Sequence, residues 1–139
     1  MVRVPLISVV DDDVSVRESL QGLLRSAGFA VTVFSSAEEF LNSDRLGGSD
    51  CLILDVRMPG INGLALQSRL LAEHHETPVI FITAHGPNEE LRSQAFRNGA
   101  VDYLVKPFSE EALLNAIDAA LNSKRHRMHG NQSDENGGP

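Results

Sequence analysis

Four aspartates, a threonine and a lysine stand where short apolar runs stop. Residues 6–10 read LISVV and lead into Asp11, Asp12 and Asp13. Residues 51–54 read CLIL and lead into Asp55. Residues 79–82 (VIFI) precede Thr83, and residues 103–105 (YLV) precede Lys106 and Pro107. An open parallel α/β sheet binds ligands outside the carboxyl ends of its strands. If these runs are neighbouring strands, Asp11, Asp12, Asp55, Thr83 and Lys106 meet at one edge.

That set has a definite chemistry. Carboxylates held close together raise each other's pKa and destabilise the fold unless something offsets them. A hard cation with oxygen ligands does so. Mg²⁺ is expected, with Mn²⁺ as a substitute, because Mg²⁺ accepts one or two carboxylates and keeps several waters. The three minus charges of Asp11, Asp12 and Asp55 are balanced by Lys106 and a dication. Asp13 reads differently, as the N-cap of a helix beginning at Val14. Asp55 follows a buried run with a short approach from solvent. An ionised carboxylate there can attack phosphorus and form an acyl phosphate without a general base. Phosphoryl transfer is mostly positioning and charge neutralisation, and Thr83 and Lys106 can serve the remaining oxygens.

The elements that must position these groups alternate along the chain, as in βαβ units around a parallel sheet. After the acidic cluster, Val16, Leu20, Leu23, Leu24 and Ala27 recur at helical spacing, and Gly28 stops that helix. Residues 31–34 read as a strand. Ser36 and Glu39 form a capping-box pattern ahead of Phe40 and Leu41, and Gly47-Gly48 is a loop. The run 51–54 is apolar on both faces, so its strand is central. Pro59-Gly60 and Asn62-Gly63 make a turn-rich connection to a helix over 64–73. Strand 79–82, a helix over 89–97 closed by Asn98-Gly99, and strand 101–105 follow. Ser109 caps a last helix with Leu113, Leu114, Ile117, Ala120 and Leu121 on one side. The pattern predicts five strands and five helices. From Lys124 the character changes: residues 124–127 are basic and 131–139 polar and glycine-rich, so 124–139 is expected to be a disordered tail or a truncated linker.

Length and composition fit one globular domain over residues 1–123. The chain has 139 residues, 42% apolar and 22% charged. Its net charge of −7 argues against a nucleic-acid surface on the folded body. Cys51, the lone cysteine, lies inside an apolar run and reads as a small buried hydrophobe. The opening residues, MVRVP, show no signal-peptide pattern, and no stretch approaches the ~18 apolar residues of a membrane span. A cytoplasmic protein is expected.

Four motifs then carry a resemblance. VVDDD at 9–13, LDVRMPG at 54–60, ITAHG at 82–86 and YLVKPF at 103–108 resemble, in order and interval, the receiver domain of two-component response regulators. The likeness runs from residue 6 to about 122. The RMPG segment and the TAHG after the fourth strand are closest to the nitrogen-fixation-regulator branch. The resemblance implies a flavodoxin-like, doubly wound sheet of order 2-1-3-4-5. It implies that Asp55 accepts a phosphoryl group from the phosphohistidine of a sensor histidine kinase. Asp12, Asp55 and the backbone carbonyl of Arg57 would bind the metal, with Asp11 supporting it. Thr83 would be the switch hydroxyl, and Lys106 would pair with the phosphoryl group. The bond before Pro107 would be cis. Tyr103 would be the switch aromatic that turns inward, and Ala84 the small residue that leaves the phosphoryl group room. Arg57 and His85 would tune autodephosphorylation. The 89–121 face would change on switching, the expected place for a homodimer or an output partner.

On this reading the protein is not an enzyme, beyond catalysing its own phosphorylation and dephosphorylation. A haloacid-dehalogenase-type phosphatase, which also uses an aspartyl nucleophile, needs a second Asp two residues after the first, where this chain has Arg57. Two alternatives stay open. One is a receiver-like interaction module that is never phosphorylated. The other is the N-terminal fragment of a DNA-binding transcriptional regulator. His74, His75, His126 and His129 read as surface residues.

Overall fold

In a computed structural model the described residues are 4–44, 47–84 and 88–135, with side chains as far as Ser123. Five strands alternate with five helices. They are β1 (Leu6–Val10), α1 (Val14–Ser26), β2 (Ala30–Phe34), α2 (Ala37–Leu41) and β3 (Cys51–Asp55). α3 (Gly63–Ala72), β4 (Val79–Thr83), α4 (Glu89–Arg97), β5 (Asp102–Val105) and α5 (Glu110–Glu135) follow. The strands form one parallel sheet in the order β2-β1-β3-β4-β5, the order that the receiver resemblance implies.

Side chains alternate across a strand, so each strand feeds both faces of the sheet. Ile7, Val9, Ile53, Ile80 and Ile82 pack on one face with Leu20 and Leu24 of α1 and Leu113 and Ile117 of α5. Val10, Leu52, Leu54 and Phe81 pack on the other with Phe40 of α2, Leu66 of α3 and Ala95 of α4. β3 and β4 are buried along their whole length, whereas the edge strands β2 and β5 are only partly covered. This is why the 51–54 and 79–82 runs are uninterrupted by polar residues.

Side-chain caps start the helices where the sequence places them. Asp13 Oδ1 accepts the Ser15 N–H at 2.8 Å, Ser36 Oγ the Glu39 N–H at 3.0 Å and Ser109 Oγ the Ala112 N–H at 3.0 Å. Gly28 ends α1 with φ +96°, a left-handed backbone that suits glycine.

Helix α5 departs from expectation. Its backbone continues to Glu135, through most of the segment read as a tail. Apolar periodicity stops at Leu121, but a helix does not need it to continue. No proline lies between Pro107 and Pro139, and residues such as Lys124 and Arg125 are good helix formers. The side chains of the basic run, including His126 and His129, lie outside the described residues. No helix among the described residues is long and apolar enough to cross a membrane.

Candidate functional site

β1 and β3 are direct neighbours, and Val10 pairs in register with Leu54. Asp11 and Asp55 therefore end up side by side. One carboxylate oxygen from each of Asp11, Asp12 and Asp55 lies within 4.8 Å of the others. Asp11 and Asp55 are buried and Asp12 is exposed. The trio is thus a pocket with its open side at Asp12.

Asp11 is held from several directions. Its Oδ1 accepts the Asp13 N–H at 2.9 Å, and Lys106 Nζ lies 3.0 Å from its Oδ2. Arg17 Nη1 donates to its backbone carbonyl at 2.8 Å. The sequence shows no sign of this use of Arg17, which lies on α1 with no partner apparent from spacing. Asp13 serves α1 instead, as its N-cap.

Asp55 has weaker support. Its Oδ1 accepts one long hydrogen bond, 3.3 Å from the Arg57 N–H. Burial pushes its carboxyl up to about 7, and the Asp11 charge pushes the same way. The Lys106 ammonium and the Arg57 N–H pull it down, and Asp12 adds a smaller upward push. Burial exceeds the compensation because one ammonium faces a cluster of carboxylates. A dication beside Asp55 would favour its ionised form. The donor set fits such an ion: three carboxylates, oxygen only, close together and open on one side.

Thr83 is the last residue of β4 and fully buried. Its carbonyl accepts the Lys106 N–H at 2.7 Å, which ties the end of β4 to the end of β5. Ala84 follows in a bend and is exposed. The Lys106–Pro107 peptide bond is cis. Tyr103 is 6% exposed, with its ring centroid 6.3 Å from that of Phe81. Burial raises its hydroxyl pKa, against a smaller downward pull from Arg57. The hydroxyl has no hydrogen-bond partner among the described residues. Arg57 is exposed at the start of the β3–α3 loop. His85 lies outside the described residues.

Spacing alone misses two residues that shape this edge. A Cβ on Gly63 would collide with the Asp55 carbonyl oxygen and stand 3.1 Å from the Phe81 ring. Only glycine lets α3 start this close to the acceptor strand, and the Gly63 N–H donates to the Val56 carbonyl at 3.0 Å. The Asn62-Gly63 pair signals a turn in the sequence, but not this approach. Glu38 of α2 accepts the Ile61 N–H at 3.2 Å and so steadies the same loop from outside.

The response regulator receiver domain family model matches residues 7–118. The response regulator protein TodT of Pseudomonas putida is 47% identical over 119 residues, 86% of this chain and 52% of TodT. The transcriptional regulatory protein FixJ of Bradyrhizobium diazoefficiens is 44% identical over 117 residues, 83% of this chain and 56% of FixJ. The crystal structure of FixJ-N superimposes with a TM-score of 0.78 at 34% identity, covering 87% of this chain and 96% of that one. The chain spans about half the length of the curated relatives it matches.

Proposed function

The chain belongs to the response regulator receiver family, in its FixJ-like branch, and on that premise we propose that Asp55 accepts a phosphoryl group from the phosphohistidine of a sensor kinase. The observation that carries this is the meeting of Asp11, Asp12 and Asp55 within 4.8 Å, with Lys106 on Asp11. Asp12, Asp55 and the Arg57 carbonyl would hold Mg²⁺, or Mn²⁺, with Asp11 behind them. Bound there, the ion neutralises the carboxylates and the phosphoryl oxygens.

The chain's own residues do the rest. The Asp55 carboxylate attacks phosphorus, the P–N bond of the phosphohistidine breaks, and the imidazole leaves with its electron pair. The Thr83 hydroxyl and the Lys106 ammonium take phosphoryl oxygens. Ala84 leaves the incoming group room. Movement of Thr83 toward the phosphoryl group couples to the Tyr103 ring, whose exposed and buried positions mark the two states of the switch. Arg57 and His85 govern water access and so the lifetime of the acyl phosphate. No other substrate is turned over.

The donor has to reach Asp55 across the surface next to it. A mainly apolar cleft of about 420 Å³ between α1 and the start of α5, lined by Val16, Leu20, Leu23, Lys106, Pro107 and Phe108, adjoins that edge. It is the surface we assign to the kinase, which would act in the cytoplasm. A second reading concerns the output. FixJ is a transcriptional regulator by name, and this chain spans about half of its length. Residues 1–123 would then be the receiver of such a regulator, with 124–139 entering its linker and the 89–121 face contacting an output domain or a second copy.

Incubation with acetyl phosphate and Mg²⁺ tests the proposal. The mass of the intact protein should rise by one phosphoryl group, and Asp55→Ala should abolish the rise. An unlabelled parent chain would favour an interaction module that is never phosphorylated. A label on another aspartate would refute the assignment of Asp55.

A further inference from the structure

Gln67 projects from α3 into the core and is 3% exposed. Its Nε2 donates to the carbonyls of Ala95 at 3.0 Å and Asn98 at 3.4 Å, at the C-terminal end of α4. The orientation of the amide follows from chemistry, since its oxygen in that place would face two acceptors. Its Oε1 is buried and accepts no hydrogen bond from the described residues.

The backbone closes that end of α4 itself, since the Asn98, Gly99 and Ala100 N–H groups donate to the Gln94, Phe96 and Ala95 carbonyls at 3.1, 3.0 and 3.0 Å. Ala95 is the one buried residue of the helix. Leu91 and Phe96 are only partly buried, and the Arg92 guanidinium rests 4.9 Å from the Phe96 ring centroid. A cavity of about 330 Å³, lined in part by Leu70, Val79, Asn98 and Gly99, lies beside Gln67. Beyond these caps and the packing of Ala95, the two hydrogen bonds from Gln67 tie the helix end to α3. A second buried orphan, the Tyr103 hydroxyl, belongs to a residue in the same core cluster as Ala95. Buried polar atoms without partners disfavour the arrangement that contains them.

We infer that Gln67 is a positioning residue that latches the C-terminal end of α4, so that a switching movement of α4 has to break the two hydrogen bonds its amide donates. The inference rests on the reading of Asp55 as phosphoacceptor. α4 follows β4 and Thr83 in the chain, and so links the acceptor edge to the latched end.

Two variants test it. Gln67→Met keeps the length of the side chain and removes the amide. Gln67→Asn keeps the amide but is too short to reach both carbonyls. Native-state hydrogen exchange in the unphosphorylated protein should quicken by about tenfold at residues 92–97, the loss of roughly one buried hydrogen bond, while β3 is unchanged. Labelling by acetyl phosphate should be severalfold faster in both variants, because the switched position is more populated. Unchanged exchange in α4 would overturn the latch. A uniform increase across the sheet would overturn it too, by showing general destabilisation. Faster exchange with an unchanged labelling rate would overturn the coupling to phosphorylation. The exchange measurement needs no phosphoryl group, so a parent chain that fails to label refutes the acceptor role separately.

Discussion

Lys106 Nζ lies 3.0 Å from Asp11 Oδ2, although the two residues are 95 positions apart in the chain. Asp11 is fully buried, and Lys106 keeps 20% of its side chain exposed. A buried carboxylate is costly without a partner, and removing one member of such a pair typically destabilises by about 3–5 kcal/mol. Lys106→Met should lower unfolding stability in EDTA by about 2–4 kcal/mol, discounted because the ammonium is partly solvated. Urea denaturation checks this. Mg²⁺ should restore part of the loss, and acceptance of the phosphoryl group should remain slow.

Asp55 predicts a pH dependence with a definite sign. Its carboxyl is raised to about 7 by burial first and Asp11 second, from an ordinary value of 3.8. The folded state thus keeps its proton after the unfolded state has lost it. The stabilising contribution is full below pH 3.8, falls as pH rises, and is gone above about 7. Asp55→Asn should therefore be more stable than the parent at pH 8 in EDTA, by about 2 kcal/mol after allowance for solvent screening. The gap should close on going to pH 4. Paired denaturation curves at the two pH values decide the matter.

A dication should oppose that trend. Binding only to the folded pocket at ten times its dissociation constant adds about 1.4 kcal/mol, a rise of a few degrees in melting temperature. The rise should be larger at pH 8 than at pH 6, because the ion competes with the Asp55 proton. Asp12→Ala should largely remove it. Thermal melts across a Mg²⁺ titration at both pH values measure all three effects.

Gly63 should tolerate no side chain. A methyl group there meets the Asp55 carbonyl oxygen and the Phe81 ring. Strand β3 lies in the middle of the sheet and cannot yield easily. Gly63→Ala should destabilise by about 1–3 kcal/mol. It should also slow labelling by acetyl phosphate beyond what the remaining folded fraction explains. A variant that labels at the parent rate would show that the loop absorbs the methyl without moving Asp55.

The Arg57 and His85 assignments predict altered decay of the acyl phosphate. Arg57→Ala and His85→Ala should each change the dephosphorylation half-life severalfold, and Arg57→Ala should do so with little change in stability, since Arg57 is exposed. Half-lives followed by intact mass check this, and unchanged decay in both variants would remove the assignment.

Much of this protein is written in local pattern. Apolar runs of four or five residues alternating with helical periodicity point to a parallel sheet, because parallel neighbours need a crossover connection and a helix is its usual form. The acidic and basic residues at the ends of those runs then share an edge. Caps such as Asp13, Ser36 and Ser109 are legible for the same reason: each acts within a few residues of itself. The strand order came from family resemblance, since alternation alone leaves it open. The C-terminal extent of α5 was misread, because loss of apolar spacing marks where packing ends and not where a helix must stop.

Tertiary structure decided what depends on distant partners. That Lys106 meets Asp11, that Arg17 reaches back to the Asp11 carbonyl, that α3 presses Gly63 against Asp55 and that Gln67 holds the end of α4 are all relations across elements. Sequence periodicity reports which face a residue occupies. It carries no information about which atom of another helix or strand will stand opposite, because that follows from how whole elements pack once the core is closed.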